Sequence, residues 1–241
     1  MPGTCVRRRC GQFGGMRKQM LPEDDLRLYR ENISLLEEQV VNHFPDSYER
    51  PEILRSIRAV PRHFFVHPDY RCLAYTDNAF PTKHGLTTSA PSVIAEFIRQ
   101  SGAVRGDRVL EIGTGTGYEA ALLAEMGAYV VSIEADRAVA REAERVLGLL
   151  GYVEGGSVEL RTGNGRKGAP DRAPFHAVIV AAAARRTEDV AQLLRQLGDG
   201  GRLVAPMGPR EGQVLHIFER KAGRISDSVL EGVSFSFVLL V

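Results

Sequence analysis

Between residues 108 and 206 the sequence alternates between short apolar runs and longer amphipathic stretches, and this alternation restricts the fold more than any other feature. The apolar runs, at 108–112, 129–133, 157–161, 175–181 and 202–206, predict strands. The stretches at 118–126, 137–150 and 187–197 predict helices. Strands that alternate with helices form parallel sheets with crossover helices on both faces. We therefore predict an α/β fold with a doubly wound, mostly parallel sheet.

The segments on either side of this region add further elements. Apolar positions at helical spacing predict helices at 21–44 and 51–57, and Pro91 opens a third helix that Gly102 ends. Residues 60–91 contain so many prolines and glycines that we expect a long functional loop without regular elements. Two apolar runs, at 213–219 and 232–241, predict an antiparallel strand pair on the sheet edge, separated by a connection that contains Gly223 and Asp227.

The domain organisation follows from these elements. Residues 1–20 show no hydrophobic period and predict a mobile tail, within which Met16 or Met20 is an equally good start. Residues 21–91 form an N-terminal region of helices and a cover loop, and residues 92–241 form a ligand-binding domain. A length of 241 residues suits one catalytic domain with such an appendage.

Charge and cysteine content narrow the class of partner. The chain has 31 Lys and Arg against 30 Asp and Glu, so no large field of one sign would hold it on nucleic acid or an anionic membrane. Its three cysteines lack the spacing with histidines that a zinc site needs, and their odd number argues against a disulfide framework. The sequence has no apolar run of about eighteen residues, the length that predicts a membrane span. We expect a cytoplasmic monomer or small homo-oligomer without a metal, acting on a small molecule or a peptide.

A glycine-rich turn follows the first predicted strand. Gly113, Gly115 and Gly117 are spaced two apart, so the backbone can turn sharply and approach a ligand closely. Glu134 ends the next strand, where a carboxylate can accept hydrogen bonds from both hydroxyls of a ribose. The two features together predict a nucleoside site. The alternative interpretation is that the glycines only permit tight strand-helix packing and that Glu134 is a solvated strand end.

The glycine spacing also separates two cofactor classes. Dinucleotide-binding turns have the form G-x-G-x-x-G and seat a pyrophosphate, whereas this turn is G-x-G-x-G preceded by an acidic residue, Glu111. That form resembles the first motif of the S-adenosylmethionine-dependent methyltransferases, which implies that Glu111 and the turn meet the amino-acid end of this cofactor. Gly163-Asn164-Gly165 follows the third strand, where Asn164 either hydrogen-bonds an adenine ring or belongs to an ordinary turn.

Several segments resemble one family in particular, the protein-L-isoaspartate O-methyltransferases. They follow the family's order from about residue 36 onward, at 60–66, 74–77, 84–91, 173–175, 181–183 and 200–204. The most specific is Thr87-Thr88-Ser89-Ala90-Pro91, which resembles the family's Thr-Ile-Ser-x-Pro segment. The resemblance implies a Rossmann-like class I methyltransferase fold, S-adenosylmethionine as the cofactor, and methylation of a free carboxylate on L-isoaspartyl residues of damaged proteins or peptides.

The resemblance also implies roles for individual residues. In the family this segment lies over the cofactor and its hydroxyl residue places the substrate carboxylate, so Ser89 becomes the catalytic candidate, with His84, Thr87 and Ser89 binding the substrate. The predicted cofactor-binding residues are Thr88, Glu111, Gly113, Thr114, Gly115, Gly117, Tyr118, Glu134, Asn164 and Gly165. Ser89 has an alternative role as a helix cap, because it stands just before the helix-opening Pro91.

Departures from the family's pattern leave the acceptor open. They are Leu86, Thr88, Asn164, His176, and the pair Arg185 and Arg186 in place of an expected proline. The two arginines either attract a peptide carboxylate or belong to a solvated approach to a helix. One alternative function is therefore a carboxyl methyltransferase of a dedicated peptide or small metabolite, and another is a cofactor-binding homologue without activity.

Overall fold

The computed structural model describes residues 23–43, 49–209, 212–235 and 240. Its α-helices in these ranges are α1 (Glu23–His43), α2 (Pro51–Ala59), α3 (Pro91–Ser101), α4 (Tyr118–Glu125), α5 (Arg137–Leu149) and α6 (Ala191–Gln196). Its strands are β1 (Arg108–Ile112), β2 (Tyr129–Glu134), β3 (Val158–Thr162), β4 (Phe175–Val180), β5 (Leu197–Met207), β6 (Gln213–Lys221) and β7 (Arg224–Phe235). The predicted tail at 1–20 lies outside the described residues.

The strands form one seven-stranded sheet in the order β3-β2-β1-β4-β5-β6-β7. Neighbours among β1 to β5 pair in parallel, whereas β6 pairs antiparallel with β5 and with β7. The predicted doubly wound sheet with an antiparallel C-terminal pair is confirmed. The strand order reverses between β1 and β4, and ligands of such sheets bind outside the carboxyl ends of the strands at this point.

Alternate residues of the strands enter two hydrophobic cores, because successive side chains of a strand point to opposite faces. Val109 and Val130 pack with α1 to α5 on one face, and Leu110 and Val131 pack with α6 on the other. The strands are therefore covered on both faces. Burial on both faces explains why their sequences are continuous apolar runs rather than alternating patterns.

The N-terminal helices cover one side of this sheet. Helix α1 packs against α3, α2 packs against α4, and α3 packs against β4 and β5. The loop that follows α2 is more regular than expected, since it contains two 3-10 helices, Arg62–Phe64 and Pro68–Leu73. Within the described ranges, no helix has the length and apolar character needed to cross a bilayer.

Several predicted elements have wrong boundaries. Strand β7 begins at Arg224 rather than at residue 232, and Asp227 pairs with Phe218 inside the β-ladder instead of lying in the connection. Residues 236–239 and 241 of the predicted run lie outside the described residues. The first part of this strand was not predicted, because it is exposed and most of its residues are polar, as is common on a sheet edge. The predicted helix at 187–197 is a 3-10 turn followed by α6, and Leu197 already begins β5.

Candidate active site

A cavity of about 940 Å³ lies at the carboxyl ends of β1, β2 and β4, beside the reversal of strand order. Its volume is within the range of natural ligand sites. Eleven of the residues predicted to bind cofactor or substrate line it: His84, Thr87, Thr88, Ser89, Glu111, Gly113, Thr114, Gly115, Tyr118, Glu134 and Gly165. The fold thus gathers side chains and backbone from the cover loop, the glycine turn and two strand ends around one space.

The glycine turn between β1 and α4 forms one wall of the cavity. Gly113, Gly115 and Gly117 have φ values of +93°, +54° and +85°, a conformation that residues with a Cβ rarely adopt. Gly113 and Gly115 line the cavity. Gly117 does not, because it faces α5, where a Cβ would lie 2.9 Å from Leu147 Cδ1. The third glycine therefore serves helix packing.

Glu111 lies fully buried beneath this turn. Its carboxylate accepts a hydrogen bond from the Ser132 hydroxyl, which in turn lies 2.5 Å from the Thr114 hydroxyl. The pKa of Glu111 is raised to about 8, chiefly by burial. The charge of Glu134 adds to this rise, and the hydrogen bond from Ser132 opposes it. The other carboxylate oxygen, Oε1, has no hydrogen-bond partner among the described residues.

Glu134 connects the glycine turn to the start of α5. Its Oε2 accepts a hydrogen bond from the Gly115 backbone N–H at 3.0 Å, and its Oε1 accepts one from the Asp136 N–H at 3.1 Å. A carboxylate has about four acceptor positions, so both oxygens can still accept hydrogen bonds from a ligand. The side chain is held in a fixed orientation and lines the cavity.

Within the cover loop, at 60–91, residues 80–88 fold into a small hairpin on the opposite side of the cavity. Thr88 donates its backbone N–H to the Phe80 carbonyl at 2.8 Å, and its hydroxyl accepts from the Phe80 N–H at 3.0 Å. At the tip, Lys83 Nζ lies 3.7 Å from Glu142 of α5, and His84 is exposed. The hairpin therefore extends from the start of α3 to α5.

A buried arginine holds this loop in place. The Arg62 guanidinium donates to the carbonyls of Ala74, Thr76 and Asn78 at 2.7 to 2.9 Å, and approaches that of Ser89 at 3.4 Å. It also packs against the rings of Phe80 and Tyr118. Burial lowers the pKa of Arg62, while nearby Tyr118, Asp77 and Tyr75 raise it. The sequence contains this residue in the stretch 60–66 but gives no sign of its role.

Ser89 is half-buried at the cavity wall. Helix α3 has Ala90 as its N-cap, without a side-chain cap, and its Ser92 N–H is instead bound by the Asp77 carboxylate at 2.8 Å. Ser89 therefore does not cap this helix. Within the described part of the chain its hydroxyl makes no hydrogen bond, so it is available to a ligand.

The segment after β3 is divided between the cavity and the surface. Gly165 lines the cavity and lies so close to β1 that a Cβ would be 2.4 Å from Ile112 Cγ2. The side chain of Asn164 is turned toward its own loop, where it accepts from the Arg166 N–H at 2.9 Å, and it does not line the cavity. A contact from Asn164 to a ligand would need a different rotamer.

Comparison with known proteins agrees with this geometry. The family model for protein-L-isoaspartate(D-aspartate) O-methyltransferase matches residues 35–241. The protein-L-isoaspartate O-methyltransferase of Gloeobacter violaceus is 41% identical over 192 residues, which cover 79% of this chain and 91% of the relative. The enzyme of the same name from Methanoculleus marisnigri is 42% identical over 183 residues, 76% of this chain and 81% of the relative. The chain belongs to this family.

Two solved structures support the fold. One, a putative protein-L-isoaspartate O-methyltransferase from Plasmodium falciparum in complex with S-adenosyl-L-homocysteine, has a TM-score of 0.73 at 21% identity and matches 87% of this chain and 98% of that one. The other, a protein-L-isoaspartate O-methyltransferase, has a TM-score of 0.72 at 24% identity and matches 88% of this chain and 66% of that one. At these identities the likeness concerns the fold.

The family uses S-adenosylmethionine, and the residues present fit this cofactor. The cavity has the size for a nucleoside with an amino-acid tail, its glycine turn exposes backbone, and Glu134 presents carboxylate acceptors to it. Buried carboxylate oxygens without partners suit a ligand that carries positive charge. In the described residues, no group of three or more His, Cys, Asp or Glu could hold a metal ion.

Some residues that depart from the family's pattern line the cavity, and others lie away from it. Leu86 and Thr88 line the cavity, so they contribute to the surface that a substrate meets. His176 stands at the other end of β4, where its Nδ1 accepts from the Arg108 N–H at 3.0 Å, so it has no contact with the site. Arg185 and Arg186 are exposed and do not line the cavity. This arrangement favours the solvated interpretation of the two arginines.

Besides Arg62, two buried groups of the site were not predicted from the sequence. Ser132, which binds Glu111, is a single polar residue inside the apolar run of β2, and that contrast was the available signal. Glu119 follows Tyr118 in the first turn of α4, lines the cavity and is only 7% exposed. An acidic residue in a first helical turn is ordinary on the surface, so its burial could not be foreseen.

Proposed function

We propose that this chain transfers a methyl group from S-adenosylmethionine to the free carboxylate of L-isoaspartyl residues in proteins or peptides. The observation that carries the proposal is the convergence of the glycine turn, Glu134 and the Thr87-Thr88-Ser89 segment on one cavity, in a chain of this family. Carboxyl methylation of isoaspartate initiates its conversion to a succinimide, and so gives damaged protein a route back to normal aspartate.

The acceptor needs no general base. A carboxyl group has an ordinary pKa near 4, so it is ionised and nucleophilic at neutral pH. When bound, S-adenosylmethionine supplies an electrophilic methyl group on a cationic sulfonium. Opposite charges meet and are lost in the reaction, so the task of the protein is to bring the two atoms together and to exclude water. The cavity wall offers hydroxyl groups rather than an Asp-His pair, which agrees with this chemistry.

Ser89 is suited to hold the acceptor. Its hydroxyl is without a protein partner in the described residues and can donate to one carboxylate oxygen, leaving the other free to attack. Arg62 fixes the backbone of this segment and of the residues before the hairpin, and therefore acts as a positioning residue. Thr88 is hydrogen-bonded to Phe80 and keeps the hairpin closed over the cavity.

Methyl transfer to a synthetic peptide tests the proposal. Tritium-labelled S-adenosylmethionine is incubated with the purified chain and a peptide that contains one isoaspartate, and the same peptide with normal aspartate is the control. We expect base-labile tritium in the isoaspartyl peptide alone. Labelling of both peptides would indicate a general carboxyl methyltransferase.

Two other outcomes correspond to the alternatives. Binding of the cofactor without labelling of either peptide would contradict the proposal and favour a dedicated acceptor or an inactive homologue. Failure to bind S-adenosylhomocysteine in calorimetry would contradict the cofactor assignment itself. The cytoplasmic location and the monomeric or small homo-oligomeric state stay predictions.

A further inference from the structure

Two carboxylates at the cavity each have an oxygen atom without a hydrogen-bond partner in the described part of the chain. They belong to Glu111 and Glu119, which are 0% and 7% exposed. In each, Oε1 is buried and finds no hydrogen-bond donor among the described residues. Both residues line the cavity. Buried acceptors without partners are costly, so their presence at a ligand site calls for a donor that arrives with the ligand.

The two side chains lie near each other at the first turn of α4, close enough for the charge of Glu111 to act on Glu119. Glu119 is the second residue of this helix, and Glu111 lies in β1, two positions before the glycine turn that leads into the helix. Burial raises the pKa of Glu119 well above its ordinary range, and the charge of Glu111 raises it further. Two negative charges in one dry place repel each other. A cation placed between them would relieve this repulsion.

Helix packing alone does not account for Glu119. An acidic residue in a first helical turn is stabilised by the helix dipole when it is exposed, and it needs no burial for that. An apolar or amide side chain would fill the same position without the desolvation of a carboxylate. The position therefore suits a ligand that bears positive charge and N–H donors.

The cofactor of this family has two cationic groups, and only one can satisfy these oxygens. Its sulfonium carries no hydrogen on sulfur, whereas its α-ammonium has three N–H donors. We propose that Glu119, together with Glu111, forms the subsite that receives the α-ammonium of the cofactor. The resemblance to methyltransferases assigned the amino-acid end to Glu111 and the glycine turn, and Glu119 is a new member of this site. The inference rests on the cofactor assignment made under the proposed function.

Binding of two matched ligands tests this subsite without any turnover. The ligands are S-adenosylhomocysteine and its desamino analogue, in which hydrogen replaces the α-amino group, and calorimetry measures both on the full chain. The unmodified chain should prefer the amine by about tenfold or more, because an ammonium-carboxylate hydrogen bond is worth that much. The Glu119→Gln variant should lose most of this preference through weaker binding of S-adenosylhomocysteine, while its affinity for the desamino analogue stays the same.

Matched variants separate this role from a structural one. Glu125→Gln changes a carboxylate on the same helix that binds the Tyr152 hydroxyl and does not line the cavity, so it should keep the full preference. Glu119→Asp should retain part of the preference, since the charge remains. Glu119→Gln should unfold at the same temperature as the unmodified chain or a higher one, because a neutral amide replaces a buried carboxylate.

Three results would overturn the inference. One is an undiminished preference for the amine in Glu119→Gln. Another is an equal loss of affinity for both ligands in that variant, which would indicate a packing role. The third is a marked loss of thermal stability in Glu119→Gln. If the unmodified chain bound neither ligand, the cofactor assignment would fail first, and that failure is distinct from these three.

Discussion

Ser89 lies at the wall of the cavity, in the segment Thr87-Thr88-Ser89. We predict that Ser89→Ala lowers kcat for an isoaspartyl peptide by roughly a hundredfold, the loss that follows removal of one positioned donor. The dissociation constant of S-adenosylhomocysteine should change less than about threefold, since Glu134 and the glycine turn are untouched. Steady-state kinetics and calorimetry on the same preparation measure the two quantities.

Ser92 provides the control for this prediction. It lies three residues further, is buried at the start of α3, and does not line the cavity, while its backbone N–H keeps its bond to Asp77. Ser92→Ala should therefore leave kcat nearly unchanged. If Ser89→Ala weakened cofactor binding as much as it slowed turnover, Ser89 would belong to the cofactor pocket rather than to acceptor placement.

The cover loop depends on one buried guanidinium. We predict that Arg62→Lys lowers the free energy of unfolding by about 2 kcal/mol or more, because a single ammonium cannot reach the separate carbonyls that Arg62 binds and leaves some of them unsatisfied. Urea unfolding monitored by circular dichroism measures this loss. Saturating S-adenosylhomocysteine should recover part of it, as a ligand that binds only the folded state adds stability.

An exposed arginine gives the comparison for Arg62. Arg58 pairs with Glu37 between α2 and α1, and its side chain is 60% exposed. Arg58→Lys should cost less than about 0.5 kcal/mol, as is usual for an exposed ion pair. Equal losses in the two variants would show that the carbonyl contacts of Arg62 do not hold the loop.

The contact between α4 and α5 depends on Gly117. We predict that Gly117→Ala lowers the free energy of unfolding by about 2 to 4 kcal/mol, because alanine disfavours the positive φ and its Cβ would overlap Leu147. In the double variant with Leu147→Ala, the loss should be smaller than the sum of the single losses by about 1 kcal/mol or more, since the overlap disappears. Strict additivity, measured by urea unfolding of all three variants, would contradict the proposed overlap.

Some helices and strands could be predicted from the sequence and others could not. The strands β1 to β4 and helices α4 and α5 followed from apolar runs and glycine stops, because both faces of the sheet are buried and local patterns agree with the tertiary fold. The first half of strand β7 did not, because its backbone is hydrogen-bonded in the ladder while its side chains are exposed and mostly polar. Period alone cannot distinguish such a strand from a loop.

The site divides in a similar way. The positions of Glu134, Gly113 and Gly115 at the cavity were predictable, since they depend on backbone geometry that the motif itself encodes. The roles of Ser132 and Arg62 could not be predicted, because their hydrogen bonds join segments that are far apart in the chain. The motif placed Gly117 at the cofactor, whereas in the structure it faces α5. The sequence does not show which helix packs against the turn, so this position could not be predicted.

The buried carboxylates make the stability of the entire chain depend on pH. Glu111 has its pKa raised from 4.5 to about 8 by burial, so between these values the folded protein holds a proton that the unfolded chain has released. The folded state is therefore favoured at the lower end of this interval, and the free energy of unfolding of the ligand-free protein should fall as pH rises from about 5 to about 8. Glu119 acts in the same direction, since its pKa is also raised. Urea unfolding of Glu111→Gln across this range should give a shallower decline than the unmodified chain, because an amide does not titrate; parallel declines would mean that other groups cause the pH dependence.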